Sequence, residues 1–327
     1  MNKIVRYGAA LILLAACALA QDEPIRIDVD LVNILFTVKA KKGGALIPNL
    51  EKNNFTVEED GKAQTIQRFS RETDLPLTLG LLIDISASQE RLIDIERQAA
   101  SAFFSSVIRQ KDEAFLISFG KSTDLLQDFT NSPRRLSAAL RDLRGDGSGP
   151  VGIGPIPNSG PVPTIGTPKG TLLFDAIYLA STEKLKTEVG RKALILITDG
   201  ADQGSTYDRR GAIEAAQRSD AVVYSIYYVD RGFYSGGGIS FGGGNEGDLK
   251  KISEETGGHV FSVDRKHPLD EIFKQIQDEL RSQYSIGYSS TNTKRDGAFR
   301  HIEIKTDNSD YRVQARAGYY ATKNDVR

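Results

Sequence analysis

A carboxylate and two hydroxyls occupy alternate positions at the end of an apolar run. The run and its polar end read Leu79-Gly80-Leu81-Leu82-Ile83-Asp84-Ile85-Ser86-Ala87-Ser88. Such a run is typical of a central parallel strand covered on both faces, and ligands collect at the carboxyl ends of such strands. Asp84, Ser86 and Ser88 are therefore candidates for a small-molecule or metal site. Because the motif is short, its significance depends on further oxygen donors elsewhere in the chain.

Two later segments supply such donors. Thr171 follows Gly170 at the start of a predicted helix, and Asp199 follows the apolar run Ala193-Leu194-Ile195-Leu196-Ile197-Thr198. Two carboxylates and three hydroxyls suit a hard cation, and Mg²⁺ is commonly held by oxygen ligands that include one or two carboxylates. These motifs contain no His or Cys, which disfavours zinc. The residues thus predict a cation site formed by separate segments of the chain.

This set of residues resembles the metal-ion-dependent adhesion site (MIDAS) of the von Willebrand factor type A (VWA) domain, the fold shared by integrin inserted domains. The resemblance covers residues 75–283, and Ala87 stands where many members have Gly, at a position without a ligand role. The flanking segments 54–61 and 283–288 resemble a bacterial exported subfamily with this domain. The resemblance implies a divalent cation, Mg²⁺ with Mn²⁺ or Ca²⁺ as alternatives, held by Asp84, Ser86, Ser88, Thr171 and Asp199.

The resemblance also implies a function. In the family, an Asp or Glu of a partner protein fills an open coordination position of the cation. Neutral hydroxyl ligands leave the cation electrophilic, which fits this role. We therefore expect an exported, non-catalytic module that binds an acidic residue of a protein ligand. The alternatives are a structural or assembly scaffold of a bacterial envelope complex and, third, a metal-dependent hydrolase. Neither Ser86 nor Ser88 stands in a Gly-x-Ser-x-Gly elbow, and no His is placed as a base, so nucleophilic catalysis is disfavoured.

The elements that position these residues follow from the hydrophobic periodicity. Strand and helix patterns alternate through residues 75–283, which predicts a doubly wound, mostly parallel sheet. Residues 24–72 have an all-β pattern with too few strands for an independent core, and residues 284–327 return to a β pattern. We expect the two flanks to form one β-sandwich-like unit into which the α/β domain is inserted. The alternation changes phase at Leu31-Val32, which predicts a bulge or a strand that crosses between sheets.

The amino terminus has the pattern of a targeting segment. Lys3 and Arg6 precede an uncharged, mostly apolar run to Ala20, which predicts a signal peptide over residues 1–20. Cleavage after Ala20 is one outcome. The other is lipidation of Cys17, because Leu14-Ala15-Ala16-Cys17 resembles a bacterial lipobox. The expected location is the periplasm, the outer membrane through a lipid anchor, or the exterior. With one cysteine in the chain, the folded part has no disulfide.

The composition argues against a nucleic-acid partner. The net charge is −1, and the aromatic residues do not form a basic-aromatic stripe. The segment 145–170, rich in Gly and Pro, directly precedes Thr171, so it is expected either to shape the choice of partner or to be a disordered spacer. The glycine-rich segment 232–247 lacks the Lys-Ser/Thr ending of a phosphate-binding loop and is interpreted as a flexible loop.

Overall fold

The computed structural model describes residues 31–71, 75–145, 170–229 and 245–323. The predicted signal peptide, with Cys17, lies outside the described residues, as do most of the two glycine-rich segments and the part of the predicted amino-terminal strand before Leu31. Within the described part of the chain, no helix combines the length and the apolar character that crossing a bilayer requires.

The amino-terminal flank consists of short antiparallel strands. The described strands are β1 (Leu31–Ala40), β2 (Phe55–Glu59), β3 (Lys62–Gln64) and β4 (Arg68–Arg71), with a short 3₁₀ helix at Lys52–Asn54. A two-residue turn joins β2 to β3, and both of its residues, Asp60 and Gly61, have positive φ, at 48° and 75°. This backbone is that of the Asp-Gly hairpin turn, whose twist matches that of the flanking strands.

A six-stranded sheet forms the centre of the α/β part. Its strands are β5 (Leu77–Asp84), β6 (Glu113–Phe119), β7 (Thr123–Thr130), β8 (Arg191–Thr198), β9 (Ala221–Tyr227) and β10 (Val260–Ser262). They lie in the order β10-β9-β8-β5-β6-β7. The pairs from β10 through β6 are parallel. Every residue of β5 and β8 is buried, as expected for central strands with helices on both faces.

The edge strand β7 pairs antiparallel with β6. The two strands are connected by only three residues, Gly120, Lys121 and Ser122. A parallel pairing needs a crossover of a dozen or more residues, so this short connection allows only a hairpin. The strand pattern alone did not distinguish this edge from the parallel strands, whereas the length of the connection does.

Helices cover both faces of the sheet. They are α1 (Ile93–Val107), α2 (Pro133–Arg141), α3 (Leu173–Leu179), α4 (Arg209–Arg218), α5 (Glu246–Thr256) and α6 (Leu269–Leu280), and a π-helix at Ala180–Leu185 continues α3. Buried residues of α1, α2 and α6 pack with Leu79, Leu81 and Ile83 of β5. Buried residues of α3, α4 and α5 pack on the opposite face with Leu82. The alternating direction of successive β5 side chains thus supplies one residue set to each core.

The carboxyl-terminal strands complete two sheets begun by the amino-terminal flank. These strands are β11 (Tyr284–Ser289), β12 (Phe299–Thr306), β13 (Tyr311–Ala315) and β14 (Gly318–Tyr320). One sheet has the order β13-β1-β11-β4 and the other β14-β12-β2-β3. Residues 311–320 form two strands, because the chain leaves the first sheet after Ala315 and joins the second at Gly318. The predicted fold class, a doubly wound α/β sheet with a β-sandwich-like unit from both flanks, is confirmed.

The core between the two flanking sheets is aromatic. Phe36 stacks on Tyr284 at a ring-centroid distance of 5.4 Å and meets the edge of Phe55 at 5.1 Å. The alternation in β1 buries Val32, Ile34, Phe36 and Val38 on one face, as the sequence pattern predicted. The hydroxyl of Tyr284 donates to the Ile47 carbonyl at 2.6 Å, which satisfies the polar end of a ring that is otherwise buried.

One buried arginine joins the segments that enter and leave the α/β part. The Arg191 guanidinium donates to the Leu75 carbonyl at 2.6 Å and to the Leu280 carbonyl. Leu75 precedes the first strand of the central sheet, and Leu280 ends α6. The start and the end of the inserted part therefore lie side by side, as an insertion between two halves of a sandwich requires.

Candidate metal centre

The candidate ligands come from the carboxyl ends of two adjacent strands. β5 pairs with β8 on one side, in register from Leu77–Arg191 to Ile83–Ile197, and with β6 on the other side. After β5 the chain continues to β6 on one side of the sheet, and after β8 it continues to β9 on the other side. The crevice at such a switch in strand order is where open α/β sheets bind ligands. Asp84 ends β5, and Asp199 directly follows β8.

Asp84 is fully buried, and hydrogen bonds orient its carboxylate. Oδ1 accepts the backbone N–H of Ser86 at 2.9 Å. Oδ2 accepts the hydroxyl of Thr198 at 2.6 Å. The Thr198 hydroxyl oxygen in turn accepts the backbone N–H of Gly200 at 3.0 Å. Asp84 is therefore tied both to the turn that follows its own strand and to the end of the neighbouring strand.

A second set of hydrogen bonds links the two serines to Asp199. The Ser86 and Ser88 hydroxyls are 3.1 Å apart, and Ser88 Oγ donates to Asp199 Oδ2 at 2.7 Å. Asp199 Oδ1 accepts the backbone N–H of Ala201 at 3.0 Å. The structure thus brings together four of the five predicted residues, Asp84, Ser86, Ser88 and Asp199, through polar contacts.

Thr171 reaches the same edge of the sheet through its backbone. Its carbonyl accepts the N–H of Gln203 at 2.8 Å, and the next residue, Leu172, donates to the carbonyl of Gly120 at 2.9 Å. Gly120 follows β6, and Gln203 belongs to the segment after Asp199. Thr171 is buried and lies between these two strand-end segments.

Gly200 is required where it stands. Its φ is +79°, and a Cβ at this position would lie 2.7 Å from the Asn245 carbonyl oxygen. Any other residue would suffer both a strained backbone and a steric clash. The Asp-Gly pair is thus a structural unit, in which the glycine turns the chain directly after the candidate ligand.

The loop after Asp199 is fastened to the start of α3 by two aspartates that the sequence analysis did not single out. The Asp175 carboxylate accepts the backbone N–H groups of Thr206 and Tyr207, each at 2.9 Å. Asp202 Oδ1 accepts the N–H of Phe174 at 3.2 Å. Asp175 lies four residues after Thr171, so the same contacts fix the position of the Thr171 segment. The spacing in sequence gave no sign of this role, because the partners lie in a distant loop.

Comparisons with known proteins return solved structures at low identity. No family model matches the chain, and no curated protein matches it. BatB from Bacteroides thetaiotaomicron has 19% identity and a TM-score of 0.45 over 62% of this chain and 97% of that chain. A von Willebrand factor type A structure from Catenulispora acidiphila has 10% identity and a TM-score of 0.47, over 90% and 74%. Proximal thread matrix protein 1 from the mussel byssus, with a zinc-occupied MIDAS motif, has 13% identity and a TM-score of 0.47, over 67% and 48%.

The doubly wound sheet and the place of the motif residues agree with the resemblance found in the sequence. The α/β part has the doubly wound fold that this resemblance implies. Its candidate ligands lie at the carboxyl edge of the sheet, between the first strand of the domain and the strand that precedes Asp199.

The electrostatics of the site are dominated by burial. Burial raises the pKa of the Asp84 carboxyl from its usual 3.8 to about 7, against the opposing hydrogen bonds from Ser86 and Thr198, and the nearby Asp199 carboxylate adds to the rise. Within the described part of the chain, no Lys, Arg or His forms an ion pair with Asp84. A buried carboxylate without a cationic partner is costly to ionise. This edge of the sheet therefore favours a bound positive charge.

The donor set fits a hard divalent cation. The oxygens available are those of two carboxylates and of serine and threonine hydroxyls, all of which Mg²⁺ accepts. Among the described residues, no group of three or more His, Cys, Asp or Glu side chains is arranged to hold a metal ion. A cation at this edge would therefore depend on the hydroxyl ligands as well as on Asp84 and Asp199.

Proposed function

We propose that the VWA-like domain binds a protein partner through a divalent cation and catalyses no reaction. The cation would be held by Asp84, Ser86, Ser88, Thr171 and Asp199. The observation that carries the proposal is the chain of hydrogen bonds from Thr198 through Asp84 and Ser86, and from Ser88 to Asp199, at the switch in strand order. These contacts hold the oxygens of two separate strand ends in one buried place before any partner arrives.

The proposed ligands are of two kinds, charged and neutral. Asp84 and Asp199 supply the negative charge, and the Ser and Thr hydroxyls add neutral oxygens. The bound cation supplies a Lewis-acidic position for an outside carboxylate, which points to an Asp or Glu of the partner. Mg²⁺ is the first choice because it takes few carboxylates and retains waters that a partner can displace, with Mn²⁺ and Ca²⁺ as alternatives. The zinc in the mussel protein's MIDAS motif agrees with a divalent ion.

The proposed setting is the outside of a bacterial cell membrane. The charged and apolar pattern of residues 1–20 supports export, and Cys17 offers a site for a lipid anchor. The partner would then be an envelope or secreted protein that presents an acidic residue. A scaffold in an envelope complex is the alternative, in which the domain assembles with its partner without the cation.

Cation binding is tested first, by isothermal titration calorimetry of the metal-stripped protein with Mg²⁺ and Mn²⁺. We expect one site per chain, lost in Asp84→Asn and weakened in Ser86→Ala. Asp94→Asn is the matched control, because Asp94 is an exposed carboxylate ten residues away that forms an ion pair with Arg97. Heat of binding that persists in Asp84→Asn would place the cation elsewhere and contradict the proposed site.

Partner binding is tested by capture from envelope extracts on immobilised protein, in Mg²⁺ and in EDTA. Metal-bridged binding predicts partners that elute with EDTA and are absent with Asp84→Asn. Partners that remain bound under both conditions would instead support the cation-independent scaffold. If the protein hydrolyses a substrate and Asp84→Asn loses this activity, the result would support the metal-dependent hydrolase instead.

A further inference from the structure

A third carboxylate lies buried behind the candidate cation site. Glu96 belongs to the first turn of α1, which begins four residues after the Ser88-Gln89 pair, and its side chain has 0% exposure. Its backbone N–H donates to the carbonyl of Leu92 at 2.9 Å, so it is part of the regular helix. Within the described residues, neither of its two carboxylate oxygens has a hydrogen-bond partner.

The first turn of a helix does not by itself explain Glu96. A carboxylate there gains from the helix dipole, but that gain is available at the surface. Asp94, in the same turn, is 88% exposed and pairs with Arg97 at 2.6 Å. Burying a carboxylate without a partner costs far more than the dipole returns, and an apolar residue would stabilise the core better. Protonation of Glu96 or a nearby positive charge would offset this cost.

The direction of the Glu96 side chain identifies where that charge would lie. Side chains of an α-helix tilt toward its amino terminus, and the amino terminus of α1 is the end that follows the turn with Ser86 and Ser88. The Asp84 charge lies close enough to add to the effect of burial, and together they raise the pKa of Glu96 well above its usual range.

Gln89 adds a second unpaired acceptor on this side of the turn. Its side chain is fully buried and its amide nitrogen donates to the Tyr228 carbonyl at 3.1 Å, while its Oε1 has no partner within the described residues. The buried surroundings of the ligand turn thus offer unpaired oxygens from two side chains. Unpaired oxygens of this kind interact favourably with a cation, or with a hydrogen-bond donor that is bound to a cation.

We propose that Glu96 is a third anionic group of the cation site, which strengthens the binding of a divalent cation through its charge without ligating the ion. Two carboxylates only balance the charge of a divalent cation, and the hydroxyl ligands are neutral. A third buried carboxylate makes the surroundings of the cation net negative. This inference rests on the proposed cation site and assigns a role to a residue outside it.

The test compares neutral and charged replacements of Glu96. Glu96→Gln keeps the shape and removes the charge, Glu96→Met removes the charge and the polarity, and Glu96→Asp keeps the charge. We expect Mg²⁺ and Mn²⁺ to bind at least about tenfold more weakly to both neutral variants, because a nearby unit charge acts strongly on a divalent ion in the protein interior. Glu96→Asp should recover most of the affinity. The metal-free Glu96→Met variant should be as thermally stable as the unaltered protein, or more so, since an apolar side chain replaces a buried carboxyl group without a hydrogen-bond partner.

Two controls separate this role from general effects of charge or packing. Asp94→Asn removes a charge from the same turn, and Glu279→Gln makes the same exchange at a buried carboxyl on α6; both should leave the Mg²⁺ affinity unchanged. Equal affinity of Glu96→Gln, Glu96→Met and the unaltered protein would overturn the inference while leaving the site intact. Weakening in Asp94→Asn to the same degree would overturn it as well. Absence of Mg²⁺ and Mn²⁺ binding to the unaltered protein would instead refute the proposed function itself.

Discussion

At the scale of single residues, the Thr198 hydroxyl has the closest contact with Asp84. It donates to Asp84 Oδ2 at 2.6 Å, in a pair of fully buried side chains from adjacent strands. A hydrogen bond to a group that carries charge is stronger than one between neutral groups, and its loss leaves a buried acceptor unsatisfied. Thr198 therefore contributes to stability as well as to the orientation of the candidate ligand.

Thr198→Val removes this donor, together with the acceptor of the Gly200 N–H, and keeps the side-chain shape. We expect the free energy of unfolding of the metal-free protein to fall by about 2 kcal/mol, the usual cost of an unpaired buried acceptor. Urea denaturation followed by circular dichroism measures it. Thr198→Ser keeps the hydroxyl and should lose clearly less. An equal loss in both variants would assign the effect to the missing methyl group and not to the hydrogen bond.

At the scale of elements, a partly buried polar cluster joins the flanking strand β1 to helix α6. Lys39 Nζ donates to Glu279 Oε1 at 2.6 Å and lies 3.4 Å from His259 Nε2. Burial raises the pKa of Glu279 from 4.5 to about 7, although Lys39 opposes the rise. Burial, together with the charges of Lys39 and Arg312, lowers the pKa of His259 from 6.5 to about 3. The two groups thus shift in opposite directions at one contact between elements.

These shifts predict opposite pH dependences that compensate in the unaltered protein. Glu279 holds its proton more tightly when folded, so its contribution to stability is complete below its unfolded pKa and is lost as the pH rises through about 7. His259 holds its proton less tightly when folded, so its contribution is present above its unfolded pKa and is lost as the pH falls toward about 3. Between about pH 4.5 and about pH 6.5 the two effects oppose each other.

Single substitutions should separate the two pH dependences of stability. In Glu279→Gln, we expect stability to fall with acidification over this interval, and in His259→Gln to fall as the pH rises, each by at most about 1.4 kcal/mol per pH unit relative to the unaltered protein. Denaturation curves at several pH values measure both. Slopes of the same sign in the two variants would contradict the assignment.

The elements also show what the sequence could and could not reveal. The positions of β5 and β8, including their carboxyl ends, could be predicted. In both cases an apolar run that stops at or just before an aspartate indicates a buried strand with a polar end. The contact between Thr198 and Asp84 was not, because it depends on the register of two strands far apart in sequence. Glu96 could have been found: it lies four residues after Leu92 and four before Ala100, on the apolar face of the predicted helix.

At the scale of the whole molecule, both ends of the chain build the same two sheets. β1 pairs with β13, and β2 pairs with β12, across more than two hundred residues of intervening chain. Residues 32–327 accordingly form one compact unit. The burial of alternate residues in β1 could be predicted from its sequence pattern, but the split of the last segment into β13 and β14 could not, because both halves have similar composition.

Deletion of residues 284–327 tests this dependence. We expect the amides of β1 and β2 to lose protection in hydrogen exchange, because their sheet partners and the aromatic core residue Tyr284 are removed. Amides of β5 and β8, which pair within the central sheet, should keep theirs. Protection of β1 and β2 that survives the deletion would show that the amino-terminal flank folds by itself.

The pairing of the two chain ends has a consequence for a chain that emerges from the ribosome or crosses a membrane amino terminus first. β1 and β2 appear early, with apolar faces and open edges, and must wait until β12 and β13 have been made. The central sheet is complete before then. During that interval the exposed early strands are open to pairing with other chains, so rapid assembly depends on a chaperone or on the speed with which the last residues arrive.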